Sequence, residues 1–406
     1  MTVVVALLLG GATYSANQAA DSWQKSTTEE IKWSARALEQ LRFVYLDEAS
    51  DAALIARWEN RAAVLGDLAA TGAAGLLSAE AETARKIAEQ KVFGLSGTNS
   101  LVAEKFRLPG GGFDVVRRLA ELRQQETGVA AASAPTLMDD GDRLSLVAAV
   151  LTSSAVLSVL GWLLFQGVVY ARKSGRRVAA EPSAPDNAGL VPHPWTAPQR
   201  SRRLTAIALA GWTLVTLIPA GGLYVSAAGQ RSGADAARMA VTISTYIQAS
   251  NLYSSQALLQ HRIAIDQAQA GLSRKLAAIN LSDAAQDELG TAEVQAADAW
   301  SVIGKEMMRL PTTGDGIDTG LVLAMSATSE TWADALKVQA AASQVSEDAN
   351  RATNLFTLAA TLAALAMSLV TLALARPGWP VAVPFAGMAL LAAAVVTAVA
   401  GVLAFF

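Results

Sequence analysis

Four stretches of this chain hold almost only apolar and small residues, and the segments between them repeat apolar side chains at helical spacing. Leu144 to Tyr170 runs for 27 residues without a charge; Leu204 to Val225, Leu355 to Leu374 and Val381 to Phe406 follow. Each reaches or exceeds the roughly 20 residues that an α-helix needs to cross a bilayer. The opening run, Thr2 to Leu9, is too short for that and is followed by Gly10 and Gly11. We read residues 1–13 as part of a first span completed by residues upstream. A cleaved signal peptide is the rival reading, although no positively charged segment precedes the apolar run.

Between the spans the period is that of helices. Ile31, Leu38, Leu41 and Tyr45 share one face, and Leu54, Ile55, Trp58, Ala62 and Leu65 another, at the three and four residue spacings of an amphipathic helix. Polar or glycine-rich breaks near Asp47 to Asp51, Thr71 to Gly75, Gly94 to Asn99 and Pro109 to Gly112 divide residues 14–143 into four helices. A second polar helical region covers 229–352. A segment that leaves and re-enters one membrane face favours an even number of long helices, so each region is expected to be an up-down-up-down bundle. No break precedes Leu355 after about Ile317, so the last outer helix and its span are expected to form one rod.

Charge places these parts. Residues 171–203 hold seven Lys/Arg against two Asp/Glu, whereas 13–143 hold fifteen against nineteen and 229–352 nine against fourteen. The basic strip follows one span and precedes the next, which puts it in the cytoplasm by the positive-inside rule. Pro182, Pro185, Pro192, Pro194 and Pro198 make it an extended linker. The expected location is a bacterial cell (inner) membrane, with both bundles outside the cytoplasm. Mildly acidic outer parts leave no footprint for nucleic acid. The chain has no cysteine, so packing alone must hold the outer parts together.

The two halves repeat one another. Glu104, Arg107, Leu108 and Pro109 match Glu306, Arg309, Leu310 and Pro311; Gly112, Phe113 and Asp114 match Gly316, Ile317 and Asp318. Ala130 to Ser133 match Ala340 to Ser343, Asp142-Arg143 match Asn350-Arg351, and Gly10-Gly11 match Gly221-Gly222. ALEQLR from Ala37 matches ALLQHR from Ala257. An ordered series at offsets of about 202 to 220 residues is the mark of an internal duplication. About 17 residues precede the double glycine in the second copy against nine in the first, the shortfall that an absent upstream segment would leave.

The expected fold is therefore an all-α membrane protein. Two tandem copies of a span, an extracytoplasmic four-helix bundle and a returning span are followed by a fifth span. The boundaries are 1–13, 14–143, 144–170, the linker 171–203, 204–228, 229–352, 353–375 and 381–406.

Catalytic chemistry is sparse. The two histidines, His193 and His261, cannot build a zinc site alone, and no nucleophile elbow, P-loop or metalloprotease helix is present. Asp139, Asp140 and Asp142 lack the alternation of a calcium loop and read as a solvated turn. We expect no enzyme, cofactor or metal. The spans carry no ionisable residue, which argues against an ion or proton path. Ala389, Ala393, Ala394, Ala398 and Gly401 in the last span would let another helix approach closely, within a homo-oligomer or with a partner. Trp23, Trp33, Trp58, Trp300 and Trp332 read as packing residues. Arg42 and Arg262 hold the same place in the duplicated pattern. Their guanidinium forks suit oxyanions and could converge on a small anion, or each could pair within its bundle with Glu39, Asp47 or Asp266.

Around these two arginines, over about 15 residues in each copy, the sequence resembles the outer helical-bundle domains of bacterial sensors of the nitrate-sensing and type IV pilus chemosensor kinds. Those domains carry a Q-x-R pattern on their first long helix and are flanked by two spans. The resemblance implies that Arg42 and Arg262 are positions for binding a small anion. A sensor of that kind continues into a signalling module after its spans, whereas here a linker and a further span follow, so a signal would need a separate protein partner. The functional expectation is a non-enzymatic membrane sensor; the alternative is a scaffold subunit of an envelope assembly.

Overall fold

The structure is a computed structural model that describes residues 2–71, 74–95, 99–126, 133–178, 197–315, 319–326, 329–375 and 382–406. The centre of the linker with His193, the triplet Gly316 to Asp318, Ala130 to Ala132 and the turn from Arg376 to Pro380 lie outside the described residues. The described chain is almost entirely helical. Its elements are α1 (Thr2–Arg42), a π-helical turn (Phe43–Glu48), α2 (Ala49–Thr71), α3 (Ala74–Leu95), α4 (Val115–Glu126), α5 (Ser133–Val178), α6 (Ala197–Leu281), α7 (Ala284–Met307), α8 (Thr319–Ser326), α9 (Ser329–Ala375) and α10 (Ala382–Phe405).

Each half presents the same order: a long helical path, a helix of 22 or 24 residues, a non-helical stretch holding the R-L-P motif, a short helix and a long returning helix. Alanine is the strongest helix former, and alanine-rich runs explain why α6 continues for 85 residues through Pro219. α7 starts where Asp283 caps it, its carboxylate accepting from the backbone N–H groups of Ala285 and Gln286, which satisfies donors that no helical carbonyl can reach.

One expected break is not a break. Asp47 to Asp51 continues the helix through the π turn into α2. The reason is tertiary: Val44, Tyr45, Glu48 and Ala49 are all buried there, and the wider turn lets neighbouring residues face one side. The second half has no such turn, since α6 is uninterrupted.

The chain forms two compact units. One comprises residues 1–28, 133–238 and 337–406. Among the described residues, four helices are long and apolar enough to cross a membrane: Ala134–Gln166, Ile207–Leu281, Glu330–Leu374 and Ala382–Phe405. The protein is accordingly a membrane protein, with four such helices among the described residues; the apolar opening of α1 is too short to count with them. It is nevertheless packed, with Val5 buried against Ala155 and Val159 of α5.

Glycines set the closest approaches in this unit. A Cβ on Gly11 would meet Leu151 of α5 at 3.3 Å, and one on Gly221 or Gly222 would meet Phe356 of α9 at 3.0 or 3.2 Å. Gly11 in the first half and both Gly221 and Gly222 in the second thus face the returning helix of their own half. Gly387, Ala394 and Gly401 are buried at seven-residue intervals along α10. Gly387 faces Val370 and Gly401 faces Phe356 and Ala352, all on α9. Part of the small-residue stripe expected to receive a partner is therefore used within the chain, with Ala394 buried, while Ala389 and Ala393 stay exposed.

The second unit comprises residues 29–132 and 239–336. Its main core draws on both halves: Leu41, Tyr45, Ile55, Phe106, Phe113 and Leu119 pack with Ala249, Trp300, Ile303 and Met307. Residues 29–132 and 239–336 thus share one interior.

Candidate functional site

The inward face of α6 in the second unit is unusually polar. Ala249, Gln256, Gln260 and Gln267 are all buried, separated by seven, four and seven residues, so they line one helical stripe. A stripe at this spacing normally carries leucine or valine, because burying a carboxamide without partners costs free energy. Gln256 reaches Ser50 of α2 only at 3.5 Å, and Gln267 donates to Glu293 of α7 at 3.4 Å. Gln260 is 5% exposed, and among the described residues neither Nε2 nor Oε1 has a partner.

Gln260 stands in the wall of a cavity of about 340 Å³ between α6 and α7. Trp300, Gly304 and Met308 form its buried side with Gln260, and Tyr253, Ala257 and Ala264 its half-buried side. His261, Ser301 and Lys305 stand exposed around it. Two hydrogen bonds fix the walls. The Trp300 indole donates to the Gln260 carbonyl at 3.1 Å, and the Tyr253 hydroxyl donates to the Met308 carbonyl at 2.8 Å. The aromatic residues thus spend their polar ends on the backbone and offer mainly rings. Burial pushes the Tyr253 hydroxyl above the usual phenol range.

Below this cavity the unit is held by charge. Arg61 of α2 donates to Glu293 at 2.9 Å and to Glu80 of α3 at 3.2 Å, while Asn60 donates to the Ala296 carbonyl at 2.7 Å. A second buried pair joins Arg118 of α4 to Glu48. Each fits a structural role, since both acids are already paired. Among the described residues no group of three or more His, Cys, Asp or Glu is placed to hold a metal ion.

The arginines singled out in the duplicated pattern stand elsewhere. Arg42 is exposed at the end of α1. Arg262 is 80% exposed and lies 3.8 Å from Asp266, one helical turn on, one of the three acids named above as partners within the bundle. Of the polar residues of the two motifs, the glutamines Gln40 and Gln260 turn inward, at 8% and 5% exposure. The signal for them was present as Gln256, Gln260 and Gln267 in register with Ala249 and Tyr253, but glutamine is ordinarily a surface residue. His261 is exposed at the cavity. Asp139, Asp140 and Asp142 lie within α5 rather than in a turn, and Asp142 accepts from the Trp23 indole and from Arg231. Trp23 and Trp300 are buried, and Trp58 and Trp33 lie beneath Arg61 and Arg123 at 5.4 and 5.2 Å. No family model, curated protein or solved structure matches the chain.

Proposed function

We propose that this membrane protein is a non-enzymatic sensor: its extracytoplasmic unit takes up a ligand and an associated protein reads the result. The observation that carries this reading is the course of α6. One unbroken helix of 85 residues contains both the apolar stretch from Leu204 to Val225 and the three buried glutamines. A ligand that satisfies those glutamines would bias the position or rotation of a helix that also crosses the membrane, which is the differential interaction a signalling transition requires. α9 likewise continues from Ser329 to Ala375, a rod that starts after the separate α8 rather than at about Ile317.

In this reading the chain is an internal duplication. The repeated element order, the R-L-P motifs after α3 and α7, and the paired double glycines support it. The positive-inside rule puts the linker in the cytoplasm of a bacterial cell, and the polar units outside.

The alternative is a scaffold subunit of an envelope assembly. Exposed Val396, Val399 and Leu403 on α10 favour it, since they leave an apolar face beyond the one packed on α9. Gentle detergent extraction from native membranes, with identification of what co-purifies in fixed proportion, separates the two. Recovery with a kinase or chemotaxis-type protein is the expected result. Recovery in a large envelope complex, or as a closed homo-oligomer alone, would overturn the sensor.

A further inference from the structure

We infer that the cavity beside Gln260 is a binding site for a small organic carboxylate bearing a hydrogen-bond donor on the neighbouring carbon, such as an amino acid or a hydroxy acid. This rests on the sensing reading and names its ligand class.

The argument begins with the carboxamide. It presents a donor at Nε2 and an acceptor at Oε1, both buried and both without partners among the described residues. A purely apolar ligand would leave both unsatisfied, and an anion with acceptors alone would satisfy only Nε2. A molecule carrying an acceptor and a donor side by side satisfies both. Sign comes from the lining: Lys305 is cationic, and among the described residues no acidic side chain lines the cavity, so a carboxylate is preferred over an amine alone. Size comes from the volume. About 340 Å³ is at the lower end of small-molecule sites.

The carboxamide oxygen and nitrogen are both closed to solvent in this arrangement. A Cβ on Gly304 would stand 3.9 Å from Gln260 Oε1 and 3.4 Å from its Cβ, so the absent side chain leaves room for the carboxamide to turn toward a ligand. The rings of Tyr253 and Trp300 provide walls for the carbon skeleton.

The test uses the full chain in lipid nanodiscs. Thermal unfolding is followed with each of the twenty amino acids, and with lactate and glycolate, at millimolar concentration; hits are then titrated. At least one should raise Tm. Gln260→Leu should abolish the shift, and Lys305→Gln should weaken binding about tenfold, the equivalent of one charge-assisted hydrogen bond. Lys305 is exposed, so its variant keeps the test informative even where Gln260→Leu fails to fold. Absence of any shift across the panel overturns the site, as does a shift that Lys305→Gln leaves unchanged. Co-purification of a signalling partner alongside such a failure would remove this site and keep the sensor; a Gln260-dependent shift with no partner would do the reverse.

Discussion

Arg118 and Glu48 form a two-pronged ion pair inside the second unit, with Nε and Nη2 of the arginine donating to the two carboxylate oxygens at 2.8 and 2.9 Å. The side chains are only 3% and 7% exposed. Their meeting depends on the π turn, of which Glu48 is the last residue. The ring of Phe106 lies 5.6 Å from the guanidinium, and Glu121 approaches it at 3.7 Å.

Removing one partner of a buried pair strands a charge, which typically costs about 3–5 kcal/mol. Arg118→Met is therefore expected to lower unfolding stability by that order. Arg118→Met combined with Glu48→Gln should recover part of the loss, because the stranded carboxylate is gone. Denaturant titration of the four variants forms a double-mutant cycle; equal losses in the single and double variants would refute the pairing as the cause.

Glycine at position 112 is needed twice over. Its φ is +79°, and a Cβ there would stand 2.9 Å from both Ile303 and Met307 of α7. The turn it closes is tied by Leu108 N–H to the Gly112 carbonyl at 3.1 Å. Left-handed backbone and overpacking each cost on the order of 1–3 kcal/mol. Gly112→Ala should accordingly destabilise by roughly 2 kcal/mol or more, read from denaturant titration. Gly110→Ala, with open space around it and no positive φ, should be nearly neutral.

How much of this could be read from residues alone differs by level. Long uncharged runs report spans because lipid leaves few alternatives, and α5, α6, α9 and α10 contain the four expected ones. The order of helices followed from period and punctuation. What failed was long-range: Asp47 to Asp51 resembles a polar break until Glu48 finds Arg118, 70 residues away. The shared interior was equally hidden, since Tyr45 and Tyr253 belong to different halves yet meet edge to face with ring centres 6.3 Å apart. For the site, the Q-x-R pattern drew attention to its arginines, while the buried polar member in each copy is the glutamine. Helical spacing tells which residues share a face; it does not tell that a polar face is the inner one.

The turn after α7 should be acid-sensitive. Asp315 accepts from the Thr312 backbone N–H at 2.7 Å and from Arg309 at 3.0 Å, and these contacts hold its carboxyl below the usual range. A depressed value in the folded state means that the contribution is fully present above the ordinary carboxylate pKa and is lost as pH falls through the folded value. Tm measured from pH 7 down to about pH 3 should thus fall more steeply for wild type than for Asp315→Asn. Parallel curves would show that the turn contributes nothing to the titration.

Tyr45 offers the opposite kind of substitution, one expected to help. Its side chain is fully buried and its hydroxyl has no hydrogen-bond partner among the described residues. Burial, followed by the nearby Tyr253, pushes the phenol far above its ordinary range, so it stays protonated at any working pH. A buried hydroxyl without a partner costs about 1–3 kcal/mol of desolvation. Tyr45→Phe keeps the ring and its edge-to-face contact while removing that cost, so stability should rise by roughly 1 kcal/mol. Tyr45→Ala removes the ring as well and should lose about 3–5 kcal/mol through the cavity it leaves. Denaturant midpoints for the three proteins decide the matter. A loss on Tyr45→Phe would mean that the hydroxyl is hydrogen-bonded in solution, by water or by ligand.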